Sequence, residues 1–155
     1  MKSPTNRIRN MNYTYQYPRM LVTVDCIILL ETPSQPLQIL LVKRGNEPYK
    51  DYYALPGGFP EMDELLIDAA KRELAEETGL MGVELKQLAA FDALGRDPRD
   101  RNIAIAFYGF TSPKNCTLQA GDDAAEAEWF AVDKLPELAF DHTQIIELAL
   151  SRIEG

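Results

Sequence analysis

Runs of hydrophobic residues separated by polar turns predict a chain built from β-strands and two α-helices. Continuous or alternating apolar positions predict strands over residues 21–30, 37–44, 54–56, 83–92, 102–110 and 127–132. Apolar residues at helical spacing predict one helix over residues 64–78 and a second that begins after Asp141. Strands that mostly follow one another, with helices in the middle and at the end, indicate an α/β sandwich with a mixed sheet.

The helix over residues 64–78 is the best-defined element of the sequence. It contains no Pro or Gly, while Asp63 suits its N-cap and Gly79 suits the left-handed position after its end. The second helix has a similar start, because Asp141 is followed three residues later by a Gln. His142 at this start is predicted to be a capped surface residue in preference to a catalytic one.

The first helix carries acidic residues close to its core-facing side. At about 100° per residue, Glu73 and Glu77 fall on the edge of the apolar face, and Glu76 lies one step further round, near Arg72. Carboxylates at such an edge repel one another and resist desolvation unless a cation lies among them. Divalent metal ions that prefer oxygen ligands meet that need. The alternative for any single Glu is an acidic helix margin paired with Arg72.

These residues belong to a longer motif, G-x5-E-x7-R-E-U-x-E-E-x-G-U, in which U is a bulky aliphatic residue. Every position is matched, by Gly58, Glu64, Arg72, Glu73, Leu74, Glu76, Glu77, Gly79 and Leu80. In this motif the chain resembles the Nudix hydrolases. The resemblance implies a Nudix-type α/β/α sandwich with a mixed central β-sheet, formed by a single Nudix hydrolase domain over residues 13–155 with its motif at 58–80. Residues 1–12 are expected to be a flexible segment.

The resemblance also implies roles for individual residues. The implied metal ligands are the carbonyl of Gly58 and the carboxylates of Glu73, Glu76 and Glu77, with Mg²⁺ as the expected ion and Mn²⁺ as the alternative. The implied catalytic residues are Glu64, Arg72, Glu73 and Glu76, in which Glu64 orients Arg72. A general base is expected from outside the motif. Its candidates are Asp122, Asp123, Glu126 and Glu128, of which Glu126 is preferred; the alternative is a solvated acidic loop.

Nudix enzymes hydrolyse a nucleoside diphosphate linked to a further group X, so the resemblance implies such a substrate. The segments 97–101, 129–130 and 138–142 resemble, more loosely, the branch of ADP-ribose pyrophosphatases. We therefore expect ADP-ribose to be split into AMP and ribose 5-phosphate. The same segments resemble the ADP-ribose sensor domain of regulators of NAD metabolism, in which a DNA-binding domain follows. We expect no such domain here, because the sequence ends at Gly155. A further alternative is hydrolysis of nucleoside or pterin triphosphates.

Three residues are candidates for holding this substrate. Arg99 and Arg101 lie in a positively charged loop of an otherwise acidic chain, where guanidinium groups suit phosphate or ribose. The alternative is a turn in which Asp and Arg side chains brace one another. Phe59 follows the glycines of the motif and could stack on a base.

Charge and composition narrow the classes of partner. The 155 residues carry a formal net charge of −8, which argues against a free nucleic acid as partner. No apolar run is long enough to span a bilayer and no leader peptide is visible, so with two separated cysteines we expect a cytoplasmic protein. The tyrosines in residues 13–17 alternate with other residues, which predicts a short strand. This strand is expected to pack on the chain's own sheet; the alternative is a contact with a second copy in a homodimer.

Two residues of the first long strand stand out. Cys26 is predicted to be a core thiol, because it lies in an apolar run. Asp25 lies in the same run and must have a partner there, for which an arginine or backbone amides are expected.

Overall fold

The computed structural model describes residues 12–115 and 126–154, and within them the chain forms seven β-strands and two α-helices. The strands are β1 (Leu21–Thr32), β2 (Gln35–Lys43), β3 (Tyr53–Ala54), β4 (Gly57–Gly58), β5 (Lys86–Phe91), β6 (Asn102–Thr111) and β7 (Ala127–Ala131). The helices are α1 (Leu66–Thr78) and α2 (His142–Glu154), and a short 3₁₀ turn covers Pro113–Asn115. The predicted flexible segment and the base candidates Asp122 and Asp123 fall outside these residues, save for residue 12.

Strand β1 lies at the centre of a mixed sheet. It runs parallel to β6 along its length, from the pair Leu21–Asn102 to the pair Leu30–Thr111. On its other side β1 pairs antiparallel with two partners, first with β4 and then with β2. Strands β3 and β7 extend the sheet beyond β2, and β5 extends it beyond β6, all of them antiparallel. The predicted mixed sheet is therefore confirmed.

Alternate side chains of β1 serve two separate cores. Val24, Cys26 and Ile28 are buried on the face that α1 covers, where they pack with Ala70 and Leu74 of that helix. This burial confirms the prediction of a core thiol, and the Cys26 thiol lies 3.5 Å from the Ala70 carbonyl oxygen. Because side chains in a strand point alternately to opposite faces, the helices cover both faces, which makes an α/β/α sandwich.

The second core lies on the opposite face of the sheet. Ile27 and Leu29 of β1 pack there against Ile145, Ile146 and Ala149 of α2. These α2 residues recur at helical spacing, so the amphipathic pattern read from the sequence places the helix correctly.

The start of α1 differs from the prediction. The helix begins at Leu66, and Leu65 precedes it with an extended backbone and no capping side chain, so the predicted N-cap role of Asp63 is wrong. Glu64 lies in a turn with Glu61, to whose N–H its carboxylate is bonded, and this turn replaces the first predicted helical residues. The end is as predicted, since Gly79 has a φ of 76° and its N–H donates to the Ala75 carbonyl.

Residues 13–17 do not form the predicted strand. Tyr13, Tyr15 and Tyr17 are exposed, and the rings of Tyr13 and Tyr15 stack with their centroids 5.9 Å apart. Packing on the chain's own sheet is therefore wrong for this segment, and the homodimer contact stays a prediction.

The ends of other strands were also misplaced by the sequence. The strand predicted over 83–92 begins only at Lys86, because Val83 and Leu85 turn into the α1 core. The strand predicted over 54–56 is two short pairings, β3 and β4, separated by Leu55 and Pro56. In the part of the chain that the structure describes, no helix is long and apolar enough to cross a membrane.

Gly109 of β6 supplies a test of this packing. A Cβ there would lie 2.6 Å from the Glu84 carbonyl oxygen and 2.8 Å from Val83 Cγ1. We expect Gly109→Ala to lower the free energy of unfolding by about 1–3 kcal/mol, the usual cost of overpacking. Gly45→Ala is the matched control, because a Cβ at Gly45 meets no atom within 4 Å. Denaturant unfolding of both variants checks this, and equal stabilities would contradict it.

Candidate active site

The two glycines of β4, Gly57 and Gly58, lie directly against α1. The N–H of Gly57 donates to Glu77 Oε2 over 3.3 Å. A Cβ on Gly58 would lie 2.4 Å from the carboxyl carbon of Glu73, so only glycine leaves room for that carboxylate. Strand β4 is held in this place because it pairs with β1 through Val24–Gly58. The structure therefore brings Gly58, Glu73 and Glu77 together, as the sequence predicted.

Arg72 braces the acidic residues of the helix. Its Nε and Nη2 bind the two carboxylate oxygens of Glu64 at 2.8 and 2.9 Å, which is a bidentate pair. Its Nη1 donates to Glu73 at 2.9 Å and to Glu76 at 3.2 Å, and its Nη2 also donates to the carbonyl of Phe59. These bonds from Arg72 are the main reason that the pKa of Glu64 is lowered. One guanidinium thus fixes three carboxylates of the motif.

Glu77 is in a different electrostatic position. Burial, and after it repulsion from Glu73, raise its pKa from 4.5 to about 8, while the Gly57 N–H and Arg44 oppose the shift. A carboxyl group in this environment carries its negative charge only with help from a cation. The donor set of Glu73 and Glu77 therefore fits a divalent metal ion with oxygen ligands.

The predicted ligand set is not fully assembled in the described residues. Within residues 12–115 and 126–154, no three His, Cys, Asp or Glu side chains converge closely enough to form a metal cluster. Glu76 is paired with Arg72 over 3.2 Å, and its side chain is 39% exposed. The assignments of Glu76 and of the Gly58 carbonyl as ligands stay predictions.

The predicted base candidates Glu126, which precedes β7, and Glu128, which lies in it, contact residues of other strands. Glu126 is exposed, and its carboxylate lies 4.0 Å from Lys43 Nζ. Glu128 accepts a hydrogen bond from the hydroxyl of Tyr53. The contacts of both acids are thus with β2 and β3 rather than with the carboxylates of α1, and the role of Glu126 as base stays a prediction.

Arg99 and Arg101 of the 96–101 loop brace their own turn. Arg99 forms a bidentate pair with Asp97, at 3.0 and 2.8 Å, and these bonds outweigh burial to lower the pKa of Asp97 to about 2. Arg101 donates to the carbonyls of Asp92 and Ala93. This is the alternative that the sequence left open for the loop. Binding of substrate by Arg99, Arg101 or Phe59 stays a prediction.

His142 is the clearest error of the sequence-based reading. It is buried, and its Nδ1 accepts a hydrogen bond from the Leu55 N–H over 3.0 Å, so it is not a surface residue. Burial lowers its pKa to about 3, and it is therefore neutral at physiological pH. Its Nε2 must then carry the ring proton, and this atom lies 3.7 Å from Asp25 Oδ2. The local sequence did not reveal this role, because Leu55 is distant along the chain.

Asp141 also differs from its prediction. Its carboxylate forms a pair with Arg96 in which the two bonds measure 2.9 and 2.6 Å, so its side chain serves as an ion-pair partner. Its backbone carbonyl still accepts the first helical bonds of α2. The positive charge of Arg96 opposes the effect of burial on the pKa of Asp25, which fits the expected arginine, although no hydrogen bond joins them among the described contacts.

Asp25 supplies a pH test of this buried cluster. Burial raises its pKa from 3.8 to about 7, so the folded protein holds a proton that the unfolded chain loses near pH 4. The resulting stabilisation is complete below about pH 4 and is lost as the pH rises through about 7. Relative to Asp25→Asn, we expect the unfolding free energy of the wild type to fall by about 1.4 kcal/mol per pH unit between pH 5 and 7.

The measurement is denaturant unfolding in chelator across this pH range. His142 is present in both proteins, so its own titration is common to both. Parallel curves for the wild type and Asp25→Asn would show that Asp25 does not titrate as stated.

Comparison with known proteins agrees with this geometry. The model of the NUDIX domain matches residues 20–149. An ADP-ribose pyrophosphatase of Methanocaldococcus jannaschii is 44% identical over 81% of this chain and 70% of its own length. The ADPR-responsive transcriptional repressor NtrR of Acinetobacter baylyi is 36% identical over 90% of this chain but only 56% of its own length.

Solved structures agree as well. The NUDIX domain of Shewanella oneidensis NrtR, complexed with ADP ribose, has a TM-score of 0.81 at 29% identity and covers 98% of this chain and 99% of its own. A MutT/nudix family protein of Enterococcus faecalis has a TM-score of 0.82 at 28% identity, covering 98% of this chain and 70% of its own. With the match of the domain model, the motif and the sandwich, the chain belongs to the Nudix family.

Proposed function

We propose that this protein is a metal-dependent pyrophosphohydrolase that acts on a nucleoside diphosphate linked to X. Its preferred substrate is ADP-ribose, which it splits with one water molecule into AMP and ribose 5-phosphate. The observation that carries this proposal is the close approach of Glu73 and Glu77 beside the glycines of β4. Two carboxylates held in this way suit a cation that faces the phosphates of a substrate.

The metal ion is Mg²⁺ in this proposal, with Mn²⁺ as the alternative. Its ligands are the carboxylates of Glu73, Glu76 and Glu77 with the carbonyl of Gly58. A bound divalent ion neutralises phosphoryl oxygens, lowers the pKa of water and stabilises the leaving oxygen.

The residues of the chain prepare the site in three ways. Arg72 holds Glu73 and Glu76, while Glu64 fixes the guanidinium of Arg72 from the other side. The Gly57 N–H orients one oxygen of Glu77. Held side chains need no reorganisation when the substrate arrives, which is the advantage of a preorganised site.

Further assignments complete the proposal. Glu126 is the general base, while Arg99, Arg101 and Phe59 contact the substrate. The protein acts in the cytoplasm, and the exposed tyrosines of residues 13–17 form a contact in a homodimer. The exposure of Arg99 supports its role in binding substrate, because a side chain that is 42% exposed is accessible to a ligand.

The choice of ADP-ribose is supported by the relatives. The 44% identical protein of Methanocaldococcus jannaschii is named an ADP-ribose pyrophosphatase, and the domain from Shewanella oneidensis was solved with ADP ribose. The net charge of −8 adds a physical reason, because it disfavours the more highly charged triphosphates.

A second function is favoured by one observation. The Shewanella oneidensis domain aligns with this chain over nearly its whole length, and the related Acinetobacter protein is a repressor that responds to ADPR. This protein would then bind ADP-ribose without turnover. The complete set of acids in the motif argues for the enzyme, since a sensor does not need metal ligands.

The substrate is tested with a panel under equal magnesium. We expect ADP-ribose to give a higher kcat/KM than dGTP or dATP, with AMP as a product, and we expect excess chelator to abolish turnover. A tenfold preference for a triphosphate, or undiminished turnover in chelator, would contradict the proposal. Binding of ADP-ribose without turnover would favour the sensor.

The metal-ligand role of Glu77 is tested by Glu77→Gln. Loss of part of the charge that holds the metal should cost several kcal/mol in the transition state, so we expect kcat to fall about 10²–10³-fold. The fold should survive, because Gln has the same shape and removes the repulsion from Glu73. Asp68→Asn, which alters an exposed acid of the same helix, is the control and should retain activity. A Glu77→Gln enzyme within twofold of the wild type would refute the assignment.

A further inference from the structure

A short ladder of hydrogen bonds leads along the chain towards the glycines of β4. The Tyr53 N–H donates to the Glu137 carbonyl over 3.1 Å, and the Ala139 N–H donates to the Tyr53 carbonyl over 2.8 Å. Tyr53 and Leu138 are paired in parallel, so residues 137–139 lie beside β3 like an additional strand. The residues just before α2 therefore hold the backbone that enters the glycine segment.

The ladder changes its acceptor at Leu55. In a regular parallel ladder the Leu55 N–H would donate to the Ala139 carbonyl. That carbonyl instead accepts the His142 N–H over 3.2 Å, in the turn before α2. The acceptor for Leu55 is the imidazole of His142, whose Nδ1 lies 3.0 Å from the Leu55 nitrogen. A side chain thus replaces the carbonyl that a strand would supply.

A strained turn brings the imidazole to this position. Phe140 has a φ of 54°, a left-handed value that residues with a Cβ rarely adopt. Its ring packs beside that of His142, with the two centroids 5.4 Å apart. Strained conformations persist where the surrounding structure enforces them, and they concentrate at functional sites. The chain turns away from β3 at Phe140, and the His142 side chain continues the contact.

His142 is held in the form that this hydrogen bond requires. Nδ1 accepts an N–H only when the ring is neutral and the proton is on Nε2. Burial lowers the pKa of His142 to about 3, so the ring is neutral at physiological pH. Its Nε2 lies 3.7 Å from Asp25 Oδ2, and an oxygen on that side favours the tautomer with the proton on Nε2.

The segment after Leu55 contacts the metal-ligand candidates directly. The Gly57 N–H donates to Glu77 Oε2 over 3.3 Å. Gly58 lies so close to Glu73 that a Cβ there would be 2.4 Å from the carboxyl carbon. Only Pro56 separates Leu55 from this pair of glycines. A shift of the Leu55 backbone would therefore move Gly57 relative to Glu77 and Gly58 relative to Glu73.

We propose that His142 is a positioning residue of the active site, because its Nδ1 fixes the Leu55 N–H and thereby the place of Gly57 and Gly58 beside the carboxylates of α1. The inference rests on the proposed function for the metal that these carboxylates hold, but it does not depend on turnover. His142 acts through the backbone of residues 55–58. Residues behind the ligands of a metal commonly set its affinity in this way.

The test compares two amides that each replace one nitrogen of the ring. The Oδ1 of Asn stands at the same number of bonds from Cα as Nδ1, and the amide nitrogen of Gln at the same number as Nε2. His142→Asn therefore retains an acceptor for the Leu55 N–H, and His142→Gln removes it. Both variants lose the ring and its packing against Phe140, so the hydrogen bond is the main difference between them.

The readout is the affinity of the substrate-free protein for Mn²⁺, measured from the electron paramagnetic resonance signal of the free ion. We expect His142→Gln to weaken Mn²⁺ binding by about tenfold, the lower end of the loss when a residue behind metal ligands is removed. His142→Asn should retain most of the affinity, because it retains the acceptor. Amide hydrogen exchange checks the bond itself, since the Leu55 N–H should exchange faster in His142→Gln than in His142→Asn.

Two further variants separate positioning from general damage. Ile145→Val removes one methyl group from the core under α2, where Ile145 is fully buried, and so lowers stability. Its side chain forms no hydrogen bond, so the affinity for Mn²⁺ should be unchanged. Should His142→Gln fail to fold, His142→Phe carries the test, because it keeps an aromatic ring beside Phe140 and accepts no hydrogen bond. The same loss of about tenfold is expected from it.

The outcomes distinguish this inference from the proposed function. If ADP-ribose is not hydrolysed but the variants show the expected order of Mn²⁺ affinities, the hydrolase is refuted and the positioning role stands. If ADP-ribose is hydrolysed and His142→Gln binds Mn²⁺ as tightly as the wild type, the positioning role is refuted.

Four other results would also overturn the positioning role. Equal losses of Mn²⁺ affinity in His142→Asn and His142→Gln, or a comparable loss in Ile145→Val, would show that packing matters and the hydrogen bond does not. Failure of both His142→Gln and His142→Phe to fold would make the role of His142 purely structural. A wild type that binds no Mn²⁺ would overturn the inference together with the proposed metal site.

Discussion

The close approach of Glu73 and Glu77 is the constraint on which the rest of the site depends. Their mutual repulsion and the burial of Glu77 make the pair unfavourable in isolation, as the raised pKa of about 8 for Glu77 records. Arg72 offsets the charge on one side and the Gly57 N–H on the other. The site therefore acts as one unit of α1, the turn before it and the glycines of β4. Contacts from this unit offset the unfavourable free energy of holding the Glu73 and Glu77 carboxylates together.

Strand β1 connects this unit to the remainder of the domain. One face of β1 supports α1 with its acids, while the other carries Asp25 towards α2 and His142. The neutral His142 ring binds the Leu55 N–H, which precedes β4 by two residues. Packing on the α2 side of the sheet thus helps to hold the glycines on the α1 side. A core and an active site on opposite faces share the same short segment of backbone.

The sequence predicted the periodic features of this structure well. The mixed sheet, both helices and the Gly79 end of α1 follow from apolar spacing and from the freedom of glycine at positive φ. Two of its errors, at His142 and Asp141, were made where a polar side chain finds a distant partner. Asp141 has the pattern of a helix cap, yet its carboxylate binds Arg96, 45 residues away. An interaction that strong outweighs a local cap, and nothing in the neighbouring sequence indicates it.

The sequence by itself determined the family motif, the acids at the inner edge of α1 and the order of elements, because these depend on local spacing. Tertiary structure decided which charges are neutralised. It paired Arg99 with Asp97 and brought Arg44 and Phe140 together without a carboxylate partner for Arg44 among the described residues. These contacts join the end of β2, a loop and the start of α2, whose proximity arises only when both faces of the sheet are packed. The charge state of a residue is a property of that packing, and for this reason spacing along the chain could not reveal it.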